Sequence, residues 1–154
     1  TAVKNIGLYG NGIVFLGYHH VFVVLQTNDE IYHLLEVVER GGSFFGKLGW
    51  GESATISINH AKSGSLTGVL QKRSRPTIPA DRWYESNCDN VAWSDIQEVI
   101  DRYHDAAYYY LTRNCRHFAD EILRTCGLKG VATINEPIFS KPTSIRTMFF
   151  VHYV

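Results

Sequence analysis

Apolar residues in the first quarter of the chain follow a pattern that is typical of β-strands. Residues 13–17 and 19–25 are rich in β-branched and aromatic side chains, and residues 27–29, with the sequence Thr-Asn-Asp, then form a turn signal. Residues 31–38 resume the apolar pattern directly after this turn. The chain therefore predicts a β-hairpin at this position.

Glycine and aromatic residues dominate the next segment, residues 41–51, which predicts an irregular loop. Phe44, Phe45 and Trp50 lie among its glycines, and we expect their side chains to be exposed. Short apolar runs return at 54–58 and 66–71, and these predict two further strands.

The apolar period changes to that of a helix in the second half of the chain. Ser94 and Gln97 form a capping-box pattern ahead of an apolar period that predicts a helix over 95–104. From Cys115 onward, apolar residues recur at i, i+3, i+4, i+7 and i+11, and Gly127 stands where a C-terminal cap belongs. This pattern predicts a second amphipathic helix that begins near Cys115.

Strands that precede helices along a chain favour the α+β fold class. The length of 154 residues fits one domain, so we expect a single catalytic domain over 1–154. The apolar tail 144–154 predicts either a last strand or an edge that binds a partner.

Composition narrows the classes of function. Fifteen Lys and Arg against fifteen Asp and Glu give zero formal net charge, which argues against binding nucleic acid through bulk charge. Three cysteines are too few for a disulfide framework and favour a reducing compartment. No apolar run is long enough to predict a membrane-spanning helix. Because the chain starts at Thr1 and its one methionine is Met148, we expect a processed product or an excised domain.

Cys115 is the candidate nucleophile. It stands near the start of the second predicted helix and on its apolar face, where backbone N–H groups and the helix dipole stabilise a thiolate. The alternative interpretation is a small, buried apolar residue. Periodicity alone leaves both interpretations open.

A nucleophilic cysteine needs a base, and the predicted hairpin offers histidines for that role. His20 and its neighbour His19 lie in the first arm, and strand alternation does not decide which of them points inward. His33 lies among apolar residues in the second arm, so a short sheet can place two imidazoles side by side. A second imidazole can orient the first, as the third member of a triad does. Each histidine is otherwise an ordinary core or surface residue.

Other site types receive little support. There is no C-x-x-C pair, and Cys115 and His117, two residues apart on a helix, point to different faces, so we expect no metal site. The glycine segments lack a phosphate-binding motif, and we expect no cofactor. The basic run 72–75 is either a solvated loop or a contact for anionic lipid heads.

Two segments together carry a family resemblance. Residues 111–124, with the sequence Leu-Thr-Arg-Asn-Cys-Arg-His-Phe-Ala-Asp-Glu-Ile-Leu-Arg, resemble the NC box of the lecithin retinol acyltransferase-like (H-box/NC) proteins, in which Asn-Cys-x-His-Phe opens the helix that bears the nucleophile. Tyr18, His19 and His20, followed by Val-Phe-Val-Val-Leu, resemble their H-box. The resemblance covers roughly residues 12–128.

The resemblance implies a circularly permuted papain-like (NlpC-type) fold, with an antiparallel sheet packed on helices and the nucleophile at a helix N-terminus. Cys115 is then the nucleophile, His20 the general base and acid, His33 the residue that orients His20, and Tyr18 a residue that positions or stabilises the oxyanion. Substrate binding is assigned to five residues of the NC box and the aromatic loop: Asn114, His117, Phe44, Phe45 and Trp50.

Three hypotheses of function follow. The first is a hydrolase or acyltransferase that passes an acyl group, most simply from a phospholipid, through a Cys115 thioester, with weak contact to a membrane surface. The second is a cysteine peptidase or amidase of the same superfamily, as a secreted toxin or effector. The third is a non-catalytic interaction module. The first hypothesis places the protein in the cytoplasm or at a membrane.

Overall fold

The computed structural model describes residues 1–15, 18–73, 82–85 and 91–128, and side chains within 1–9, 20–73 and 91–128. This part of the chain forms an α+β structure, as the sequence predicts. Its strands are β1 (Val3–Phe15), β2 (Tyr18–Thr27), β3 (Tyr32–Arg40), β4 (Ala54–Ser63), β5 (Arg82–Glu85) and β6 (Ala107–Tyr108). They form one antiparallel sheet in the order β5-β1-β2-β3-β4-β6.

The helices of the described residues are α1 (Phe44–Lys47), α2 (Leu66–Leu70), α3 (Trp93–Tyr103) and α4 (Cys115–Thr125). Both predicted helices are confirmed as α3 and α4. The N-cap of α3 is Ala92, two residues before the predicted cap Ser94. The Ala92 N–H donates to the Asp95 carboxylate at 3.0 Å. Gly127 follows α4 with a φ of 77°, a left-handed conformation that glycine adopts at little cost.

The strand predicted at 66–71 is wrong, because this segment is α2. Ser65 caps the helix by accepting a hydrogen bond from the Gly68 N–H at 3.0 Å. Leu66, Val69 and Leu70 recur at the helical spacing and pack on the apolar cluster of one sheet face. A capping serine ahead of this spacing is the signal that decides between helix and strand.

Two strands, most of a third strand and one helix lie outside the sequence predictions. Strand β1 begins at Val3, ten residues before the predicted start, and β5 and β6 are both short. Helix α1 lies inside the predicted glycine-rich loop. The predicted tail strand at 144–154 lies outside the described residues.

The sheet is covered on both faces, which explains its continuous apolar runs. On one face, Val21, Val23 and Leu25 pack with residues of α3 and α4 in the larger core. On the other, Phe22 and Val24 pack with residues that include Val69 of α2. Strands β2 and β3 therefore lie between two apolar layers. Within the described residues, none of the helices has the length and apolar character needed to cross a membrane.

Candidate active site

Asn114 builds the start of the helix that carries Cys115. Its side-chain oxygen accepts hydrogen bonds from the N–H groups of Arg116, at 2.9 Å, and His117, at 3.1 Å. Its amide nitrogen donates to the Tyr110 carbonyl at 2.6 Å. The side chain is fully buried, so Asn114 positions Cys115 at the first turn of α4. This position differs from the substrate contact expected from the sequence.

His117 completes the same cap. Its Nδ1 lies 2.8 Å from Asn114 Oδ1 and accepts from the Asn114 N–H at 3.3 Å. Burial, together with the neighbouring Arg116, lowers the pKa of His117. His117 does not appear among the described residues that line the cavity in front of Cys115.

A cavity of about 440 Å³ lies in front of Cys115. Residues from β2, β3, β6 and α4 converge on it, so four separate elements fix its shape. Its described lining consists of His20, Glu36, Val37, Val38, Glu39, Tyr108 and Cys115.

His20 stands between a thiol and a carboxylate. Its Nε2 lies 2.5 Å from Glu36 Oε2, and its ring also hydrogen-bonds Cys115. Burial by itself lowers the pKa of His20, but the hydrogen bonds and charges of Cys115 and Glu36 outweigh burial and raise it to about 9. His20 is therefore an imidazolium at neutral pH, placed between two groups that favour its charge.

Glu36 is the second partner of His20. Burial raises the pKa of this carboxyl, but hydrogen bonds from His20 and Arg73 prevail and lower it to about 2. Arg73 donates from Nη2 to Oε2 at 2.7 Å and from Nε to Oε1 at 3.3 Å. The carboxylate is therefore ionised throughout the physiological range.

The predicted pairing of His33 with His20 is wrong. In the β2–β3 ladder His33 lies opposite Leu25, five residues along β2 from His20, which is roughly 17 Å at the rise of a strand. His33 Nδ1 instead lies 3.0 Å from His60 Nε2, and its ring stacks on Trp93 with centroids 4.1 Å apart. Glu36 occupies the place beside His20 that the resemblance gives to His33.

The turn between β2 and β3 sets the register of the two strands, and this register excludes His33 from the position beside His20. The Thr27 N–H donates to the Ile31 carbonyl at 3.0 Å, so the pairing that counts outward from this turn sets residues near 36–38 beside His20. Glu36 also carries a signal of its own, because it is a single carboxylate within the apolar run Leu-Leu-Glu-Val-Val. The His33 prediction rests on motif spacing and on neither of these signals.

Two tyrosines stand in different positions with respect to the site. Tyr18 belongs to β2, opposite Phe15, but its side chain lies outside the described residues. Tyr108 of β6 lines the cavity, and burial, with the nearby Cys115 as a second cause, raises its pKa. Tyr108 therefore stays a neutral phenol that can donate a hydrogen bond, a role that the sequence analysis missed.

Four exposed apolar residues, mostly aromatic, lie in and directly after α1, and we call them the aromatic patch: Phe44, Phe45, Leu48 and Trp50. Trp50 is 70% exposed, and Phe44 and Phe45 are each 59% exposed. Lys47 of α1 donates to Glu39 Oε1 at 2.5 Å, and Glu39 lines the cavity. This ion pair joins α1 to a residue of the cavity lining, although the patch side chains are absent from the described lining.

Comparison with protein-family models, curated proteins and solved structures finds no match to this chain. Within the described residues, no group of three or more His, Cys, Asp or Glu side chains is arranged to hold a metal ion.

Proposed function

We propose that this protein is a cysteine-dependent acyl hydrolase or acyltransferase. Cys115 is the nucleophile, His20 is the general acid and base, and Glu36 orients His20. The observation that carries the proposal is the hydrogen bond between Cys115 and His20 inside a cavity at a helix N-terminus.

The charges at the site suit a thiolate nucleophile. His20 is an imidazolium with Glu36 on one side, and the positive end of the α4 dipole lies at Cys115. In the proposed reaction the Cys115 sulfur bonds to the acyl carbon, and His20 gives its proton to the leaving alcohol or amine. Water, or a second acceptor, then loses a proton to His20 and attacks the thioester carbonyl, which releases Cys115.

The developing oxyanion needs a hydrogen-bond donor close to Cys115. The phenol of Tyr108 is such a donor, because it lines the cavity and its raised pKa keeps the proton in place. Tyr18 remains the candidate that the family resemblance implies. The order of elements, with the His20 strand before the Cys115 helix, supports a circularly permuted papain-like arrangement.

The aromatic patch favours a phospholipid acyl ester as substrate. Helix α1, which carries Phe44 and Phe45, is joined to the cavity lining by the ion pair between Lys47 and Glu39. Exposed aromatic side chains bind the boundary between lipid heads and acyl chains. Such binding is weak and reversible, since four side chains bury little area. The patch, rather than the cavity wall, is where we place Phe44, Phe45 and Trp50 in substrate recognition.

A peptide or amide substrate is the second candidate. Two carboxylates, Glu36 and Glu39, line the cavity, and a polar wall suits an amide substrate with a basic group better than a bare acyl chain. Both candidates use the same Cys115, His20 and Glu36 chemistry, and they differ in the acyl group that Cys115 receives and in the leaving group.

Intact-mass analysis separates these candidates. The protein is incubated with phosphatidylcholine vesicles in one arm and with a basic peptide ester in the other, and the mass of a trapped adduct is measured. An acyl adduct on Cys115 that is lost in Cys115→Ser and kept in Cys126→Ser is the expected result. The arm in which the adduct forms identifies the substrate class. Absence of an adduct and of turnover in both arms favours the non-catalytic interaction module.

A further inference from the structure

Arg73 contacts Glu36 but is not among the described residues that line the cavity. Its place in the basic run 72–75 predicts either a solvated loop or a contact for anionic lipid heads. The structure instead buries its side chain, which is only 1% exposed, although the adjacent Lys72 is exposed. A buried guanidinium loses its hydration, so its contacts carry a large electrostatic effect.

Two contacts fix the Arg73 guanidinium. It binds both oxygens of Glu36, at 2.7 Å and 3.3 Å, in the paired geometry that arginine forms with carboxylates. It also stacks over the Phe22 ring, with the guanidinium carbon 3.9 Å from the ring centroid. Among the described residues Arg73 Nη1 has no hydrogen-bond partner. The side-chain hydrogen bonds that Arg73 makes within these residues therefore go to Glu36.

We propose that Arg73 is a positioning residue that holds the Glu36 carboxylate in the orientation in which Oε2 hydrogen-bonds His20. This inference rests on the proposed function. Among the described residues, Glu36 without Arg73 has one charged hydrogen-bond partner, His20, in place of two, and its side chain can leave the position beside His20. A lysine at this position keeps the charge but offers no planar pair of donors to both oxygens.

Several charged groups set the electrostatics around Glu36. His20 approaches from β2 and Arg73 from the segment after α2, while Cys115 of α4 acts on Glu36 through His20. Glu39 faces the same cavity from β3, and its carboxylate is paired with Lys47. Removal of Arg73 takes away one of the cations that contact Glu36, so the pKa of Glu36 rises.

The test compares Arg73→Met with Lys72→Met, which removes the neighbouring, exposed cation. We expect Arg73→Met to raise the midpoint of the Glu36 carboxyl titration, followed by ¹³C NMR, by about one to two pH units. The rate of Cys115 alkylation by iodoacetamide at pH 7 should fall about tenfold. Lys72→Met should change neither value. Arg73→Lys should keep the midpoint near the wild-type value while the alkylation rate falls.

A double variant shows whether Arg73 acts through Glu36. In a Glu36→Gln background, Arg73→Met should cause no further fall in the alkylation rate. A Glu36 titration midpoint and a Cys115 alkylation rate at their wild-type values in Arg73→Met would overturn the inference. A further fall in the alkylation rate in the double variant would also overturn it. If Arg73→Met does not fold, a wild-type alkylation rate in Arg73→Lys overturns it. Failure of the proposed function gives a distinct result. In that case Cys115 of the wild type is alkylated no faster than Cys126, while Arg73→Met still raises the midpoint of the Glu36 titration.

Discussion

Two histidines on adjacent strands of one hairpin have opposite electrostatic properties. Burial lowers the pKa of both, but Cys115 and Glu36 raise the pKa of His20 to about 9. At His33 the nearby His60 and Lys62 add to the effect of burial, against a smaller opposing effect of Asp29, and the pKa falls to about 4. The β2–β3 hairpin therefore holds a charged imidazolium near one end and a neutral imidazole near the other. The neighbouring charged and hydrogen-bonding groups, more than burial, determine the protonation state of each imidazole.

The difference also separates chemistry from structure. His20 faces a cavity with a cysteine, whereas His33 packs between His60 and Trp93 and joins β3 and β4 to the start of α3. We therefore assign catalysis to the His20 end and packing to the His33 end. Changes at each end test this assignment.

Replacement of the proposed nucleophile has the largest expected effect. Cys115→Ser should abolish turnover and leave the fold intact, because one oxygen replaces one sulfur and a serine hydroxyl is far less ionised at neutral pH. Turnover of an ester and the thermal unfolding midpoint are the two measurements. Cys126→Ser, at the other end of α4, is the matched control and should keep activity near the wild-type value. Full activity in Cys115→Ser would place the chemistry elsewhere.

Glu36→Gln is expected to have the next largest effect. It leaves the buried Arg73 without its counter-ion, and loss of one partner of a buried ion pair costs about 3–5 kcal/mol of unfolding free energy. The cost is largest above pH 4.5 and shrinks as pH falls toward 2, because the native Glu36 itself becomes protonated over that range. Urea unfolding and the Cys115 alkylation rate give the two readouts.

The exposed Glu98 of α3 supplies the control for this change. Glu98→Gln should leave both stability and alkylation within experimental error of the wild type, since the side chain lies in solvent. Equal effects of the two substitutions would show that Glu36 has no special role beside His20.

His33→Gln tests the other end of the comparison. The alkylation rate of Cys115 at pH 7 should stay within about twofold of the wild type, because His33 lies far along the hairpin from His20. Acid stability should change instead. The unfolded chain takes up the His33 proton near pH 6.5 and the folded protein only near pH 4, so the wild type loses stability as pH falls through this window.

In His33→Gln this acid-dependent loss should become less steep, as measured by urea unfolding at pH 7, 6, 5 and 4. A large fall in alkylation with an unchanged acid slope would instead support the His33 role that the family resemblance implies. The two readouts thus separate a catalytic from a structural His33.

The aromatic patch has the smallest expected effect. Joint replacement of Phe44, Phe45 and Trp50 by Ser should lower activity on phospholipid vesicles several-fold more than activity on a short-chain soluble ester, because only vesicles present an interface. Leu111→Ser is the matched control, since Leu111 is also exposed, at 66%, but is not one of the patch residues. Equal losses on both substrates would assign the patch to the cavity rather than to a surface.

Local patterns predicted much of the fold. Helices α3 and α4 and the β2–β3 hairpin have strong periodic signals, and the sequence also pointed to Cys115 and His20. Segment 66–71 was misassigned because its apolar run is too short for periodicity to decide, and the Ser65 cap was overlooked. Strand β5 is only four residues long, so its pattern is weak.

The third member of the site depended on register, which a motif does not determine. The distance between two histidines along the chain indicates nothing about which residues face each other until the turn is placed. The contact between Arg73 and Glu36 could not be predicted from the sequence for a different reason. Its partner Glu36 lies 37 residues away along the chain, and only the packing of α2 on the sheet brings them together.

The central claim is that Cys115 and Glu36 hold His20 as an imidazolium, and a histidine ¹⁵N NMR titration tests it most directly. In the wild type the His20 ring should titrate near pH 9, and its midpoint should fall toward 6.5 in Glu36→Gln and in Cys115→Ser. In His33→Gln it should remain near 9. A His20 midpoint near 6.5 in the wild type, or one that falls in His33→Gln and not in Glu36→Gln, would contradict the account.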